Sequence, residues 1–208
     1  GSNMTRGIGS HTLPNKGATD DWITPKYIID ALGPFDLDPC QSLLQPWPCA
    51  TKGYTITDDG LSKKWSGFTY VNAPYSHAEP FMERAAEHKN GLALLFGRTE
   101  TEMFRKHIWA TATAILFVDG RLHFHYPDSV DPGHCFQGGK HVWEERPGET
   151  KKKNKPVWCR MCGLAKGNSG GPSCIVAYGD KALKRLRQRS DMIRGALVTQ
   201  WEHLTPKG

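Results

Sequence analysis

The sequence predicts an α/β protein with a mostly parallel β-sheet and helices on both of its faces. The first observation is that apolar, strand-like segments alternate with helical segments up to about residue 126, which is typical of such sheets. The second is a change in composition, because the next stretch is rich in Gly, Pro and Lys and core-strand character returns only at Ser173. We therefore expect a flexible start at 1–20, an α/β domain at 21–126 and 172–204, and an insertion at 127–171.

A short helix and a short strand are expected to begin the domain. Pro25 suits the first position of a helix because its φ is fixed and it lacks an N–H, and Thr24 can serve as the N-cap. The helix should end near Leu32, before a Gly-Pro pair, and Phe35–Asp38 is then typical of a strand closed by a proline. Residues 40–66 contain several Pro, Gly and Asp turn signals and are expected to be irregular.

The remaining elements follow from apolar periodicity and turn residues. Thr99 and Glu102 form a capping-box pattern, which predicts that a helix begins there. Alternation over Arg121–His125 is typical of one arm of a hairpin. In chain order, the pattern predicts strand Phe68–Val71, helix Ser76–Lys89, strand Gly91–Phe96, helix Thr99–Ala112, strand Thr113–Val118, strand Ser173–Tyr178 and helix Lys181–Arg189.

Charge, hydropathy and cysteine content narrow the function classes. The 208 residues carry a net charge of +6, and the pI of about 9.0 favours a polyanionic partner such as nucleic acid. No apolar run approaches the roughly 20 residues of a membrane span, so a membrane partner is not expected. Gly1–Ser2 resembles a tag scar, and no signal-peptide pattern follows it. Six cysteines without such a signal indicate a reducing compartment, where closely spaced pairs more often bind metal than form disulfides.

The tetrapeptide Asn72-Ala73-Pro74-Tyr75, at the end of a predicted strand, is the most informative motif of the chain. Asn72 offers a side-chain carbonyl and Ala73 a main-chain carbonyl, while the fixed φ of Pro74 stiffens the turn. Tyr75 adds a flat face on which a base could stack. Together these groups could hold the exocyclic amine and the ring of an adenine. The alternative is a strand end, a proline turn and a helix N-cap at Ser76.

Polar motifs also fall at other strand ends and helix starts. Like Asn72 to Tyr75, the motifs Thr24-Pro25 and Asp36-Leu37-Asp38-Pro39 lie at a helix start or a strand end. In open α/β sheets, ligands bind at the carboxyl ends of the strands, so these motifs are candidates for one site. Asp38 could bind a ribose hydroxyl or an amino-acid ammonium group, or it could simply form a turn.

Taken together and in order, the motifs resemble those of the phage-type DNA N6-adenine methyltransferases. The resemblance covers about residues 20–126 and 172–180. Its motifs are Trp22-Ile23-Thr24-Pro25, Phe35-Asp36-Leu37-Asp38-Pro39-Cys40, Asp59-Gly60-Leu61 with Trp65, Val71 to Tyr75, Arg98-Thr99-Glu100-Thr101, Phe117 to Phe124, and the closing strand Ser173 to Gly179.

The resemblance implies a Rossmann-like methyltransferase fold that uses S-adenosylmethionine, with the α/β domain as the methyltransferase domain. It also implies the cytoplasm of a bacterial host and a phage or prophage origin. Ala73 departs from the family, in which most relatives have proline, and the glycine-rich loop of most methyltransferases is absent here as in the family. The implied catalytic residues are Asn72, Ala73, Pro74 and Tyr75, and those around the cofactor are Trp22, Thr24, Pro25, Asp36, Asp38 and Pro39.

The implied reaction is direct methyl transfer to N6 of adenine. Hydrogen bonds from the two amino protons to Asn72 Oδ1 and the Ala73 carbonyl would turn the N6 lone pair toward the methyl group. The same acceptors would stabilise the positive charge that grows on N6. Because N6 is paired in duplex DNA, the base must be flipped out or the strand must be single, and Tyr75 would stack on the ring.

The insertion carries a candidate zinc site. Cys159 and Cys162 form a Cys-x-x-Cys pair followed by glycine, and tetrahedral zinc needs two further ligands. Cys135 and His141 are the best candidates, with His134 as a substitute. A metal would explain how an insertion without an apolar core folds as a small zinc ribbon. The alternative is a loop with two free thiols.

The insertion is also basic, with Lys151, Lys152, Lys153 and Lys155 clustered among tryptophans. Such a mixture suits contact with DNA phosphates and bases, although a run of charge can equally be a solvated loop. The basic helix Lys181–Arg189 is a second candidate for DNA contact. Arg98, between a strand and a helix, could contact a phosphate or a cofactor carboxylate, or form a structural ion pair.

Two other functions compete with the DNA methyltransferase. One is a zinc-ribbon DNA-binding protein on an inactive methyltransferase fold, which the intact Asn72, Pro74 and Tyr75 disfavour. The other is methylation of a different planar amide, such as a protein glutamine, which the basic surface disfavours. The recognition sequence, the choice between duplex and single strand, the oligomeric state and any restriction partner are left open by the sequence.

Overall fold

The computed structural model describes residues 23–24, 26–43, 48–120, 122, 142–145, 157–159, 171–189 and 192–204. Short 3₁₀ and π-helical turns span Tyr75–His77 and Arg105–Trp109. The helices are α1 (Lys26–Leu32), α2 (Ala78–His88), α3 (Glu102–Phe104) and α4 (Asp180–Gln188). The strands are β1 (Leu37–Asp38), β2 (Lys52–Gly53), β3 (Thr69–Val71), β4 (Gly91–Phe96), β5 (Ala114–Val118), β6 (Trp143–Glu145), β7 (Val157–Cys159), β8 (Ser173–Tyr178) and β9 (Gly195–Val198).

Seven of the described strands form one sheet in the order β2-β1-β3-β4-β8-β5-β9. The pairs β1–β2, β1–β3 and β3–β4 are parallel, whereas β4–β8, β5–β8 and β5–β9 are antiparallel. The α/β class is therefore confirmed, but the expected mostly parallel sheet is not. The sheet is mixed because β8 enters between β4 and β5 in the opposite direction and β9 adds an antiparallel edge strand.

The parallel strands place the candidate site at one edge of the sheet. β1, β3 and β4 end there with Asp38, Val71 and Phe96. We call this boundary, which is formed by the ends of the strands and not by an edge strand, the carboxyl edge. Ser173 begins β8 there because it pairs with Phe96. The opposite, amino edge holds the other end of β8, since Tyr178 pairs with the first residue of β4.

Helices cover both faces of the sheet, as the strand–helix alternation predicts. α1 and α4 lie on one face, the α1 face, where their apolar side chains pack on Tyr70 and Leu94. α2, α3 and the π turn lie on the other, the α2 face, where they pack on Val71 and Ala93. Because successive side chains of a strand point to opposite faces, Tyr70 and Asn72 are expected on the same face.

Several element boundaries differ from the predicted ones. The helix expected at Thr99 begins only at Glu102, and its cap is Thr101, whose Oγ1 accepts a hydrogen bond from Phe104 N at 3.3 Å. Thr101 N and Oγ1 both donate to the Arg98 carbonyl, which closes a turn ahead of the helix. The capping-box assignment was therefore wrong by two residues.

Other differences concern short elements. The helix expected at Ser76 begins at Ala78, after the 3₁₀ turn, and its end at left-handed Lys89 agrees with the prediction. β2 lies in the stretch expected to be irregular, and β9 was not predicted. Both are short strands at opposite ends of the sheet, where little apolar surface is buried and the sequence pattern is weak.

Within the predicted insertion, β6 and β7 pair in antiparallel fashion, with Trp143 opposite Cys159. Residues 1–20 and the predicted hairpin arm, apart from Leu122, lie outside the described residues. None of the helices in the described ranges is long and apolar enough to cross a membrane.

Candidate active site

The motif that begins at Asn72 forms the turn from β3 into α2. Asn72, Ala73 and Pro74 are half-buried at the carboxyl edge. Pro74 has φ −57° and ψ 140°, and its carbonyl accepts a hydrogen bond from His77 N at 3.0 Å. Ala73 packs against the core of the α2 face. The motif is therefore held by the turn at Pro74 and by the packing of Ala73. The side chain of Tyr75 lies outside the described part of the structure.

Asn72 is held by a residue from a distant part of the chain. Its amide Nδ2 donates to Thr24 Oγ1 at 3.0 Å. Thr24 Oγ1 is in turn 2.6 Å from the hydroxyl of Tyr70, and either of these two hydroxyls can be the donor. Thr24 and Tyr70 are both buried. The structure thus brings the predicted residues Thr24 and Asn72 together through direct contact.

Sequence reasoning missed Tyr70 as part of the site. Its ring packs on Phe35 with 5.0 Å between ring centroids, and burial raises its pKa well above the usual range. The phenol therefore stays protonated and acts as a hydrogen-bonding group. The available signal was its position two residues before Asn72, because residues of the same parity on a strand share a face.

Asp38 lies at the end of β1 and is buried. Its Oδ1 accepts a hydrogen bond from Cys40 N at 3.2 Å, so Asp38 forms the turn that contains Pro39. Burial, together with the charge of Asp38 and a hydrogen bond to it, raises the pKa of the Cys49 thiol. Asp38 therefore combines the turn role with a buried carboxylate at the carboxyl edge.

Asp36 does not join this site. It precedes β1, and its Oδ2 accepts a hydrogen bond from Phe68 N at 2.7 Å at the amino edge of the sheet. The carboxylate also packs against Gly67, which has a φ of +77° and where a Cβ would lie 2.5 Å from Asp36 Oδ2. This position gives Asp36 a structural role, in contrast to the cofactor contact that the resemblance implies. Trp22 and Pro25 lie outside the described residues.

Ser173 is a further polar residue of the carboxyl edge that sequence reasoning did not single out. It is buried, and its Oγ has no hydrogen-bond partner among the residues that the structure describes. Its parity with Ile175, which packs in the core of the α1 face, places Ser173 on that face. A buried hydroxyl without a partner is costly, so a polar ligand at this edge would stabilise it.

Arg98 follows β4 at the carboxyl edge. Its Nε lies 3.3 Å from Glu100 Oε1, and both side chains are largely exposed. Exposed ion pairs of this kind contribute little to stability, so Arg98 can exchange Glu100 for another anion at small cost. Lys151, Lys152, Lys153 and Lys155 lie outside the described residues.

The basic helix α4 lies at the amino edge, away from Asn72. Arg185 Nη1 donates to the carbonyls of Leu32 at 2.6 Å and Pro34 at 3.3 Å. The Arg185 guanidinium and Lys181 Nζ lie 4.8 and 4.9 Å from the ring centroid of Phe68. Two of the helix's basic side chains therefore serve the packing of the domain.

The motif that contains Gly60 and Trp65 is also structural. Trp65 is buried and its Nε1 donates to the Gly60 carbonyl at 2.8 Å. Arg84 of α2 donates to the carbonyls of Leu61 and Lys63, each at 2.9 Å, and lies over the Trp65 ring at 5.2 Å. This clamp holds the loop onto the α2 face.

The predicted zinc site falls mostly outside the described residues. Cys159 is on β7, whereas Cys135, His134, His141 and Cys162 are not described. In the part of the chain that is described, no group of three or more His, Cys, Asp or Glu side chains could hold a metal ion. The zinc ribbon stays a prediction.

Comparison with known proteins adds one finding. The family model described as DNA N-6-adenine-methyltransferase (Dam) matches residues 9–158. The matched part is more than half of the chain and includes Thr24, Asp38 and Asn72. No curated protein and no solved structure matches the chain.

Proposed function

The chain belongs to the DNA N-6-adenine-methyltransferase (Dam) family, and from this premise we propose that it transfers a methyl group from S-adenosylmethionine to N6 of adenine in DNA. The observation that carries the proposal is the position of Asn72. Its amide lies at the carboxyl edge of the sheet, where Nδ2 donates to Thr24 Oγ1 at 3.0 Å. With the nitrogen end of the amide engaged in this way, the proposal assigns Oδ1 as the acceptor for the adenine amine.

The residues at the carboxyl edge fit the cofactor that the family implies. When bound, S-adenosylmethionine supplies an activated methyl group. The buried Asp38 carboxylate could accept hydrogen bonds from its ribose or its ammonium group, and the buried Ser173 hydroxyl could donate to a polar group. Thr24 lies at the same edge, in direct contact with Asn72. Trp22, Pro25 and Pro39 complete the proposed set of cofactor-binding residues. Asp36 is left out of this set because it lies at the amino edge of the sheet.

The chain's contribution to the chemistry is to hold and polarise the adenine amine. Asn72 Oδ1 and the Ala73 carbonyl accept the two N6 hydrogens, which orients the nitrogen lone pair and stabilises the charge that develops on it. The proposal uses no general base, because the N6 proton becomes acidic once the nitrogen is methylated and passes to water. Loss of these acceptors should therefore lower kcat more than it raises KM.

DNA must deliver the adenine outside the stack. Base flipping costs a few kcal/mol, and stacking of the extruded base on Tyr75 would offset part of it. Arg98 at the carboxyl edge and the lysines Lys151, Lys152, Lys153 and Lys155 of the insertion would contact phosphates. The net charge of +6 supports this partner.

We also propose that the insertion binds structural zinc through Cys159, Cys162, Cys135 and His141, with His134 as the alternative to Cys135. The β6–β7 pair supports it, because a ladder this short requires further stabilisation. Purified protein should contain about one zinc per chain. Cys159→Ser should lose the metal, and Cys174→Ser, in the core strand β8, should keep it. Equal zinc content in both variants would contradict this ligand set.

The test of the main proposal is methyl transfer from labelled S-adenosylmethionine to unmethylated duplex DNA, followed by nucleoside analysis. We expect N6-methyladenine from the wild type and a loss of at least about 100-fold in Asn72→Ala, since one preorganised acceptor typically contributes that much. Asn90→Ala, at the amino edge, is the matched control. If the wild type binds the cofactor but methylates no DNA base, the inactive DNA-binding protein or a non-DNA amide substrate is favoured.

A further inference from the structure

We propose that Thr24 and Tyr70 are positioning residues that hold the Asn72 amide in its catalytic orientation. The inference rests on the proposed function and assigns these two residues a role through Asn72. The contacts that carry it are the bond from Asn72 Nδ2 to Thr24 Oγ1 at 3.0 Å and the 2.6 Å contact between Thr24 Oγ1 and the Tyr70 hydroxyl.

An asparagine amide needs such a partner because its two ends have nearly the same shape. Rotation by half a turn exchanges the acceptor Oδ1 for the donor Nδ2. The rotated amide would direct two N–H groups at the adenine amine, which also carries only hydrogens. One of the two orientations of the Asn72 amide would therefore repel the substrate. An acceptor next to Nδ2 disfavours that orientation.

Thr24 alone would not be selective, because a hydroxyl can accept from Nδ2 or donate to Oδ1. Tyr70 resolves this ambiguity in one of the two donor arrangements that the 2.6 Å contact allows, and the proposal uses that arrangement. When Thr24 donates its single proton to the Tyr70 oxygen, the Thr24 oxygen is left as an acceptor, and only the Nδ2 orientation of Asn72 satisfies it. The hydroxyl pair thus converts an adaptable contact into a directional one.

Burial makes the arrangement persistent. The exposed fractions of Thr24 and Tyr70 are 2% and 1%, so water does not compete for the contact between their hydroxyls, while the bond to half-buried Asn72 is partly shielded. A hydrogen bond in such surroundings is stronger than at the surface, and a polar atom that loses its partner there is costly. Tyr70 lies on β3, Asn72 directly follows that strand and Thr24 lies two residues before α1; α1 and β3 are packed in one core.

The test uses substitutions that remove a hydroxyl and keep the shape. Thr24→Val and Tyr70→Phe should lower kcat, by about 10-fold and by about 3- to 10-fold, while KM for DNA and the Kd for S-adenosylmethionine change by less than about twofold. Thr24→Ser keeps the hydroxyl and should restore kcat to near the wild-type value. If Thr24→Val does not fold, Tyr70→Phe and Thr24→Ser still decide the question.

Matched controls exist in the same sheet. Tyr178→Phe removes another buried phenol, whose hydroxyl donates to the His107 carbonyl, and Thr69→Val removes a buried hydroxyl that donates to Asn90 O. Both controls should leave kcat unchanged after any difference in stability has been measured by thermal unfolding.

Distinct results would overturn the inference. Wild-type kcat in Thr24→Val and Tyr70→Phe would remove the positioning role while leaving the proposed function intact. An increased Kd for S-adenosylmethionine with unchanged kcat would assign Thr24 to the cofactor instead. A wild type that methylates no adenine would overturn the proposed function itself, and this inference with it.

Discussion

At the scale of single residues, the site is built from groups whose freedom is restricted by burial. Asn72 is held by Thr24, and Asp38 is held by the turn at Cys40. Each of these groups lies at the carboxyl edge, where a hydrogen bond to the protein fixes its orientation. Such restriction lowers the reorganisation needed when substrate and cofactor bind.

Asp38→Asn should separate the two roles of this residue. The amide keeps the Oδ1 acceptor for Cys40 N, so the turn is preserved, but the negative charge is lost. We expect the Kd for S-adenosylmethionine to rise about tenfold or more, because hydrogen bonds to charged groups contribute about 1.5–3 kcal/mol. Titration calorimetry measures the change, with Asp30→Asn on α1 as the control. An unchanged Kd would reduce Asp38 to a turn former.

At the scale of elements, position along the sheet separates residues that serve the site from residues that serve the fold. The basic helix α4 illustrates this, because its charge suggests DNA contact but its place at the amino edge does not. Arg98, by contrast, is one exposed cation and not part of a basic helix, but it follows β4 at the carboxyl edge, where DNA contact is expected. Residue type alone therefore does not assign function here; the sheet edge does.

Arg98→Ala should weaken DNA binding without affecting the fold. Loss of one phosphate contact should lower affinity severalfold and reduce the slope of log affinity against log salt by about one. Glu100→Gln should have the opposite effect, because it releases Arg98 from its ion pair. Fluorescence anisotropy at several salt concentrations measures both. If Arg187→Ala on α4 weakened DNA binding as much, the carboxyl edge would not be the DNA-facing side.

Arg185→Ala should weaken the fold and leave DNA binding unchanged. The variant loses the bonds to the Leu32 and Pro34 carbonyls and the stacking on Phe68. We expect the free energy of unfolding to fall by about 1–3 kcal/mol, measured by urea denaturation. Arg187→Ala on the same helix is the comparison. Equal stability of the two variants would argue against the packing role of Arg185.

At the scale of the whole molecule, the sequence predicts which segments form the core strands, but not the direction in which they pair or the distant residues that they contact. The bounds of Gly91–Phe96 and Ser173–Tyr178 agree with the structure because continuous apolar runs bounded by turns allow little else. The direction of β8 was not predictable, since an apolar run is compatible with either direction. Likewise, nothing in the local pattern shows that Thr24 contacts Asn72, because that contact depends on how α1 packs on β3.

The buried ionisable groups should make the stability of the whole fold depend on pH. Burial raises the pKa of Cys174 to about 12, and it also raises the pKa values of Cys49, Tyr70 and Tyr178. These groups stay protonated in the folded chain, while the unfolded chain begins to lose the thiol protons near pH 9. The folded state then binds more protons than the unfolded state, so the free energy of unfolding must fall as the pH rises above about 9.

Cys174→Ala should make that fall shallower. Between about pH 9.5 and 11, each thiol that resists ionisation lowers the free energy of unfolding by about 1.4 kcal/mol per pH unit, and the variant lacks one of them. The packing lost with the sulfur lowers stability at every pH and therefore cancels from the slope. Urea denaturation at half-unit pH intervals from 7 to 11 gives both slopes. Identical slopes would mean that the Cys174 thiol ionises in the folded protein as readily as in the unfolded one, and would contradict the effect of burial on its pKa.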